Sequence, residues 1–169
     1  METDGSKKAS ADFLKSITFL CVQIEKQTCL LKELAQIPLY LERVVILTSI
    51  PGIGVMTAME ILLELQNVER FRRPEQLAAY VGLTPSQYSS GDKIRMGRIT
   101  GIGKSHLRAS IVEASWQLIY RDESIRAVYD RIKMRAGGKR AIVAVARRLL
   151  LRTRKMLLEK QVYKTLQSA

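Results

Sequence analysis

The segment that most constrains the fold is a Pro-Gly-Ile-Gly turn, Pro51 to Gly54, which lies between two apolar stretches of helical character. Glycine adopts backbone angles that other residues avoid, so one helix can end and the next begin within a tight turn. The sequence therefore predicts a helix–hairpin–helix unit with helices over 39–49 and 55–65. Free amide N–H groups in the first turn of the second helix suit a phosphate oxygen. An ordinary helical hairpin without a ligand fits the same residues.

Positive charge is concentrated in the second half of the chain. The 169 residues carry a formal net charge of +12. Residues 1–90 hold 9 Lys and Arg against 10 Asp and Glu, whereas residues 91–169 hold 19 against 6. So long a basic segment favours a polyanionic partner, either nucleic acid or an anionic membrane. No apolar run approaches the ~20 residues of a membrane-spanning helix, which argues against insertion.

Cysteine and histidine are too sparse for a metal centre. Cys21, Cys29 and His106 are isolated from one another and from other candidate ligands. The pattern predicts neither a zinc site nor a disulfide framework, and no secretory signal is recognisable, so a cytoplasmic location is expected.

A heptad pattern runs through residues 13–37. The apolar positions alternate in steps of four and three, with one polar member: Phe13, Ile17, Leu20, Ile24, Gln27, Leu31 and Leu34. This spacing predicts a coiled-coil-like linking helix that joins copies of the chain into a homo-oligomer, although a single amphipathic helix fits the pattern equally well. Residues 1–12, which are small and polar, are expected to form a disordered leader.

The rest of the chain is predicted to be mainly α-helical, which makes the fold class all-α. The domain is expected over 39–163 with a tail at 164–169, and further helices over 74–82, 105–120, 124–135 and 140–158. Residues 82–103 have the composition of a long irregular loop, the kind of segment that often carries function. At the end of this loop, Thr100–Lys104 repeats the Gly-Ile-Gly hairpin pattern directly before a helix.

Six motifs in a fixed order carry a family resemblance. They are Ile50–Gly54 with Thr57-Ala58, Ala79–Pro85, Ser89–Lys93, Gly97–Thr100, Gly103 with Leu107-Arg108, and Gly138–Arg147. Their order and spacing resemble the C-terminal transposase domain of DEDD-type bacterial insertion-sequence transposases, which are relatives of the Piv DNA invertases and are regarded as RNA-guided recombinases. The resemblance covers roughly residues 39–163.

The resemblance implies a larger two-part enzyme. Full-length members carry an N-terminal RNase H-like domain whose four acidic residues bind metal, and a helical segment links it to the transposase domain. That acidic domain is not in this sequence. We therefore expect no cofactor in this chain, Mg²⁺ in the DEDD domain, and DNA and a structured guide RNA as partners in a bacterial cytoplasm.

The resemblance also implies a serine nucleophile that attacks a DNA phosphodiester. Ser89 and Ser90 match the motif, and Ser90 is preferred because it adjoins a glycine. Taken without the resemblance, Ser-Ser-Gly-Asp is simply a turn sequence. Lys93, Arg95 and Arg98 are candidates to stabilise charge on the phosphate oxygens.

Nucleic-acid binding is predicted at the two hairpins and along the basic helices. Beside the three cations of the loop, the candidates are Gly52, Ile53, Gly54, Gly101, Gly103, Lys104, Arg108, Lys139, Arg140 and Arg147. The alternative to a transposase half is a non-catalytic helix–hairpin–helix module that grips DNA or RNA, which would leave the serine loop without a role. A helical oligomerisation module with an incidental basic face is a third possibility.

Overall fold

The computed structural model describes residues 4–90, 93–99 and 102–164, with the backbone alone for 4–8, 87–90, 93–96 and 98. These residues form seven α-helices and one two-stranded antiparallel sheet. The helices are α1 (Asp4–Ala35), α2 (Pro38–Thr48), α3 (Val55–Leu65), α4 (Pro74–Val81), α5 (Ser105–Arg121), α6 (Glu123–Ala136) and α7 (Gly138–Glu159), and the strands are β1 (Pro85–Ser90) and β2 (Lys93–Ile99).

The predicted all-α class is confirmed, and the predicted helix bounds are close to those observed. Pro38 and Pro74 occupy first-turn positions of α2 and α4, where a missing backbone N–H costs nothing. One core joins α2–α7 and the C-terminal end of α1. Its largest fully buried side chains are Leu47, Ile50, Met59, Ile61, Leu65, Leu77, Leu83, Leu107, Ile111, Leu118, Leu149 and Leu150.

The prediction of a long irregular loop over 82–103 is wrong. Most of this segment is the β1–β2 hairpin, in which Ser90 pairs with Lys93 and Pro85 pairs with Ile99. The first four residues of β2, Lys93–Met96, alternate polar and apolar types, which is the period of a strand. Serine, proline and glycine around that alternation, residues typical of turns, concealed it.

Helix α1 also departs from the prediction at both ends. Residues 4–12 form its first turns in place of a disordered leader, and the helix ends at Ala35. No proline or glycine interrupts the stretch from Ser6 onward, so helical hydrogen bonding can extend through it. Only the C-terminal end of α1 reaches the body, where Ala35 is buried and Leu34 packs against the core.

The C-terminal segment is held to the body by a buried carboxylate. Asp122, which is 1% exposed, caps α6 by accepting hydrogen bonds from the amides of Ser124 and Ile125. It also accepts from the hydroxyl of Tyr163, whose backbone amide donates to Ser49 Oγ at 2.8 Å. Burial alone would raise the pKa of Asp122, but the hydrogen bonds from Ser124 and Tyr163 outweigh it and the pKa falls below its ordinary value of 3.8. Asp122 is therefore an anion at neutral pH.

Replacing Tyr163 with phenylalanine is expected to destabilise the fold by about 1–3 kcal/mol, because one buried oxygen of Asp122 loses its donor. Urea unfolding at pH 7 measures the effect, with Tyr120→Phe at an exposed ring as the control. The lowered pKa of Asp122 contributes stability above about pH 4 that is lost as the pH falls further. The difference between Tyr163→Phe and the wild type should therefore shrink below pH 4. A difference that is constant from pH 7 to pH 3 would contradict the assignment.

Candidate nucleic-acid interface

The Pro-Gly-Ile-Gly turn between α2 and α3 is docked against α5. Gly52 has φ of 92°, and a Cβ there would lie 2.6 Å from the carbonyl oxygen of Ala114. Ile53 is buried, and its amide donates to Ile50 O at 3.0 Å. Gly54, in contrast, has an ordinary extended conformation with open space around it. The first glycine is therefore required for packing inside the protein, whereas the second is not.

The surface beside this turn is not basic. A groove next to it is lined by Gly52, Thr57, Ala109, Ser110, Glu113, Ala114 and Gln117, and the adjoining groove towards α1 carries Glu60 and Glu64. Neither lining includes Lys or Arg. The two grooves thus offer no cation to assist the amide groups at the start of α3 in binding a phosphate. The predicted contacts at Gly52, Ile53 and Gly54 stay predictions.

The second predicted hairpin is entered from a strand, since β2 precedes it. Gly103 has φ of 108°, and a Cβ there would lie 2.6 Å from Tyr80 O, at the end of α4. Helices α4 and α5 therefore meet at this turn, although the β1–β2 hairpin separates them in sequence. Gly101 lies outside the described residues.

Lys104 and Arg108, both predicted to contact phosphate, have partners within the protein. Lys104 Nζ lies 2.9 Å from Glu64 Oε1, which also accepts a hydrogen bond from the Tyr80 hydroxyl at 2.7 Å. The Lys104 ammonium and then the Tyr80 hydroxyl lower the pKa of Glu64, and the same ion pair raises the pKa of Lys104. Arg108 Nη1 donates to Val81 O at 3.1 Å.

Exposed cations without such partners line α6 and the first half of α7. Six of them have no ion pair, no side-chain hydrogen bond and no aromatic ring as a partner within the described residues: Arg126, Arg131, Arg135, Lys139, Arg140 and Arg148. Lys139 and Arg140 lie in the first turn of α7, where the helix dipole disfavours positive charge. Arg147, also predicted, is half-buried on the same helix. We call this set, with Arg147, the α6–α7 basic surface.

Sequence reasoning missed four members of this surface, Arg126, Arg131, Arg135 and Arg148. The sequence offered only the number of Lys and Arg residues in the second half of the chain, and that number does not distinguish unpaired cations from those with partners inside the protein. Two other arginines of α7 are structural. Arg154 donates to Phe71 O at 2.7 Å, and Arg152 lies over the ring of Tyr163 at 4.0 Å.

Ser89 and Ser90 are the last two residues of β1, at the end of the hairpin far from the helical body. Ser90 pairs with Lys93 and Tyr88 with Arg95, while Arg98 follows on the same strand. The hairpin therefore brings the predicted serines and the predicted cations Lys93 and Arg95 together in register. Gly91 and Asp92, which connect the strands, lie outside the described residues.

Within residues 4–90, 93–99 and 102–164, no three His, Cys, Asp or Glu side chains come together as they would to hold a metal ion. None of the helices in that part of the chain is long and apolar enough to span a membrane.

Comparison with known proteins identifies the class as transposases of insertion sequences. A family model described as "Transposase IS116/IS110/IS902 family" matches residues 44–130, which run from α2 into α6. The matched segment includes the β1–β2 hairpin with Ser89 and Ser90, which we call the serine hairpin. The chain belongs to the transposase IS116/IS110/IS902 family.

Relatives in three bacteria support the assignment. The transposase for insertion sequence element IS1111A of Coxiella burnetii is 31% identical over 106 residues, which are 58% of this chain and 28% of that protein. An uncharacterised 43.6 kDa protein of insertion element IS110 in Streptomyces coelicolor is 33% identical over 102 residues, covering 60% of this chain and 25% of that protein. A putative transposase of Sinorhizobium fredii is 34% identical over 73 residues, which cover 43% of this chain and 19% of that protein. The matched segment thus spans about a quarter of the first two relatives.

Proposed function

We propose that this chain is the nucleic-acid-binding, nucleophile-bearing C-terminal half of a transposase that recombines DNA at specific sites during transposition. Membership of the transposase family carries this proposal, because it gives the serine hairpin and the basic surface a common substrate. Phosphate contacts position the nucleic acid but do not read its sequence. By resemblance, that reading belongs to a guide RNA.

The distribution of charge supports a backbone-binding role for the α6–α7 basic surface. A cation that is already paired with a carboxylate of the protein, as Lys104 is with Glu64, gains less from an external anion. The six unpaired cations of α6 and α7 gain most from an external anion, and two of them oppose the dipole of their own helix. A continuous phosphate backbone satisfies several such cations at once and releases counterions as it does so.

The proposed chemistry is a serine-linked phosphoryl transfer. The hydroxyl oxygen of Ser90, or of Ser89, forms a bond to a DNA phosphorus as the bond from phosphorus to one sugar oxygen breaks. The serine proton passes to a base, and the departing sugar oxygen takes up a proton. A serine hydroxyl is a weak nucleophile without an adjacent base. By resemblance, its activation belongs to the Mg²⁺-binding DEDD domain, so the isolated chain is not expected to be active.

The experiment that tests this chemistry uses the serine hairpin in a protein that includes the metal-binding domain. Ser89→Ala and Ser90→Ala are assayed separately for a covalent protein–DNA product on a denaturing gel. We expect one of them to abolish the product and the other to retain it, since only one hydroxyl can be the attacking group. Ser105→Ala, at an exposed serine that begins α5, is the control. A product that persists when Ser89→Ala and Ser90→Ala are combined would assign the nucleophile to another part of the protein and leave this chain a non-catalytic binding module.

We also propose that a second copy of the chain covers the exposed face of α1. Ile17 and Ile24 fall on heptad position a and Leu20 on position d, the combination that favours parallel two-stranded coiled coils. Phe13 is 67% exposed and Ile24 is 64% exposed, so the part of the apolar stripe from Phe13 to Ile24 has no cover within one chain. Large exposed apolar surfaces commonly mark interaction sites.

Breaking this stripe is expected to convert a dimer to a monomer. Leu20→Glu places a charge in the coiled-coil core and should halve the solution mass in sedimentation velocity. Phe19→Glu is the matched control, because Phe19 is as exposed as Leu20 but lies off the stripe. A wild-type chain that is monomeric at about 100 μM, well above the dissociation constant of a stable coiled coil, would refute the proposed dimer.

A further inference from the structure

The β1–β2 hairpin leaves the helical body and returns to it at nearly the same point. A Cβ on Gly82, just after α4, would lie 2.1 Å from Ile102 O, just before α5. The amide of Lys104 donates to Tyr80 O at 3.2 Å, which links the start of α5 to the end of α4. Two glycines with positive φ, Gly82 and Gly103, make this close approach possible. The hairpin is therefore an insertion with adjacent ends, between two helices that meet without it.

Arg108 bridges these two ends. Its Nη1 donates to Val81 O, the last residue of α4, at 3.1 Å and lies 3.5 Å from Ile102 O. The guanidinium also fits closely over Gly82, where a Cβ would lie 2.3 Å from Nη1. A planar guanidinium holds two carbonyl groups in a fixed relation, which the single ammonium of lysine does less well. The C-terminal carbonyls of a helix favour such a cation.

We propose that Arg108 is a positioning residue: by tying Val81 to Ile102 it fixes the direction in which the β1–β2 hairpin projects, and so where Ser89 and Ser90 are presented. The consequence for the serines rests on the proposed function, whereas the tie itself does not. Arg108 then acts on the hairpin and not on a phosphate, contrary to the role that the sequence predicts. Nucleic-acid binding by the α6–α7 basic surface and strand attack by the β1–β2 hairpin would then depend on different residues of the chain.

The tie is tested by amide hydrogen exchange on the chain without DNA, which needs no serine chemistry. Arg108→Ala should accelerate exchange of the ladder amides in 85–90 and 93–99 by about tenfold or more, since a charge-assisted hydrogen bond holds the hairpin base. Amides of α7 should change by less than about twofold. Arg108→Lys should recover part of the protection, because an ammonium reaches one carbonyl. Arg121→Ala, at an exposed arginine of the same helix, is the control.

Two results would overturn the proposal. Equal acceleration in the hairpin and in α4, α5 and α7 would mean that Arg108 supports the core as a whole. Unchanged hairpin exchange would mean that it ties nothing. Duplex binding adds a separate readout: if Arg108 contacts phosphate, Arg108→Ala lowers the slope of log K against log salt by about 0.9, whereas a positioning role leaves the slope unchanged.

Excision of the hairpin tests the same inference independently of Arg108. Replacing residues 84–101 by two glycines keeps the buried Leu83 and joins ends that already lie together. We expect the shortened chain to keep its helical circular dichroism and a cooperative thermal transition. Loss of both would show that the hairpin is part of the body and not an insertion into it, and would overturn the proposal even if the exchange results agreed.

Discussion

Replacing Arg135, Lys139 and Arg140 together by glutamine should lower the slope of log K against log salt for duplex DNA by about 2 to 3. Each phosphate contact contributes about 0.9 to that slope through counterion release. At about 0.15 M salt, we expect the affinity to fall by at least tenfold. The three residues lie on either side of Gly137, where α6 ends and α7 begins, and none has a partner in the described part of the chain.

The matched control removes the same charge from elsewhere. Lys15, Lys155 and Lys160 are also exposed, but each is paired with an acidic side chain, at 3.3, 3.7 and 3.3 Å respectively. Their replacement by glutamine lowers the net charge equally and should leave the salt slope nearly unchanged. Equal losses in the two triple variants would attribute binding to net charge and remove the case for a defined surface. Running the titration with a structured RNA as well as duplex DNA shows which of the two the surface prefers.

Gly52→Ala should be among the most destabilising single substitutions in the chain, by roughly 2–5 kcal/mol. A Cβ at Gly52 meets Ala114 O at 2.6 Å and Gln117 Cβ at 2.7 Å, and the residue must also hold φ of 92°. The left-handed conformation costs a non-glycine residue roughly 1–2 kcal/mol, and overpacking adds typically 1–3 kcal/mol. The measurement is the urea-unfolding free energy, and a loss below about 1 kcal/mol would mean that the hairpin moves away from α5 at little cost.

Gly54 provides the comparison within the same turn. No atom lies within 4 Å of a Cβ at Gly54, and its φ of −87° is open to any residue. Gly54→Ala restricts the unfolded chain but weakens the N-cap of α3, so the two effects oppose each other and the net change should stay within about 1 kcal/mol. Two glycines that look equivalent in sequence thus differ sharply in what they tolerate.

The helices were predictable because their signals are local. Helix α3 begins and ends at the predicted residues, 55 and 65, and the apolar residues of α5 from Leu107 to Ile119, which recur at helical spacing, are buried. The β1–β2 hairpin was missed because turn-forming residues surround a short strand period. The pairing of α4 with α5 was also missed, because only the folded chain brings Gly82 and Gly103 side by side.

The site was predictable only in part, for a physical reason. All arginines look alike in a sequence, but their uses depend on contacts between distant segments. Arg108 donates to a carbonyl 27 positions away and Arg154 to one 83 positions away, so both have hydrogen-bond partners within the protein. Lys139 and Arg140 are exposed and lie next to a glycine pair at the start of α7. Their predicted contact with phosphate stays a prediction.

The attachment of Tyr163 has a consequence for the order in which the chain folds. Its hydroxyl reaches Asp122 across 41 positions, and its amide reaches Ser49 across 114. During synthesis, the α5–α6 corner emerges well before its last hydrogen-bond donor, so Asp122 has to stay hydrated until Tyr163 arrives. We therefore expect closure of that corner to be a late step in folding, so that Tyr163→Phe accelerates unfolding more than it slows refolding.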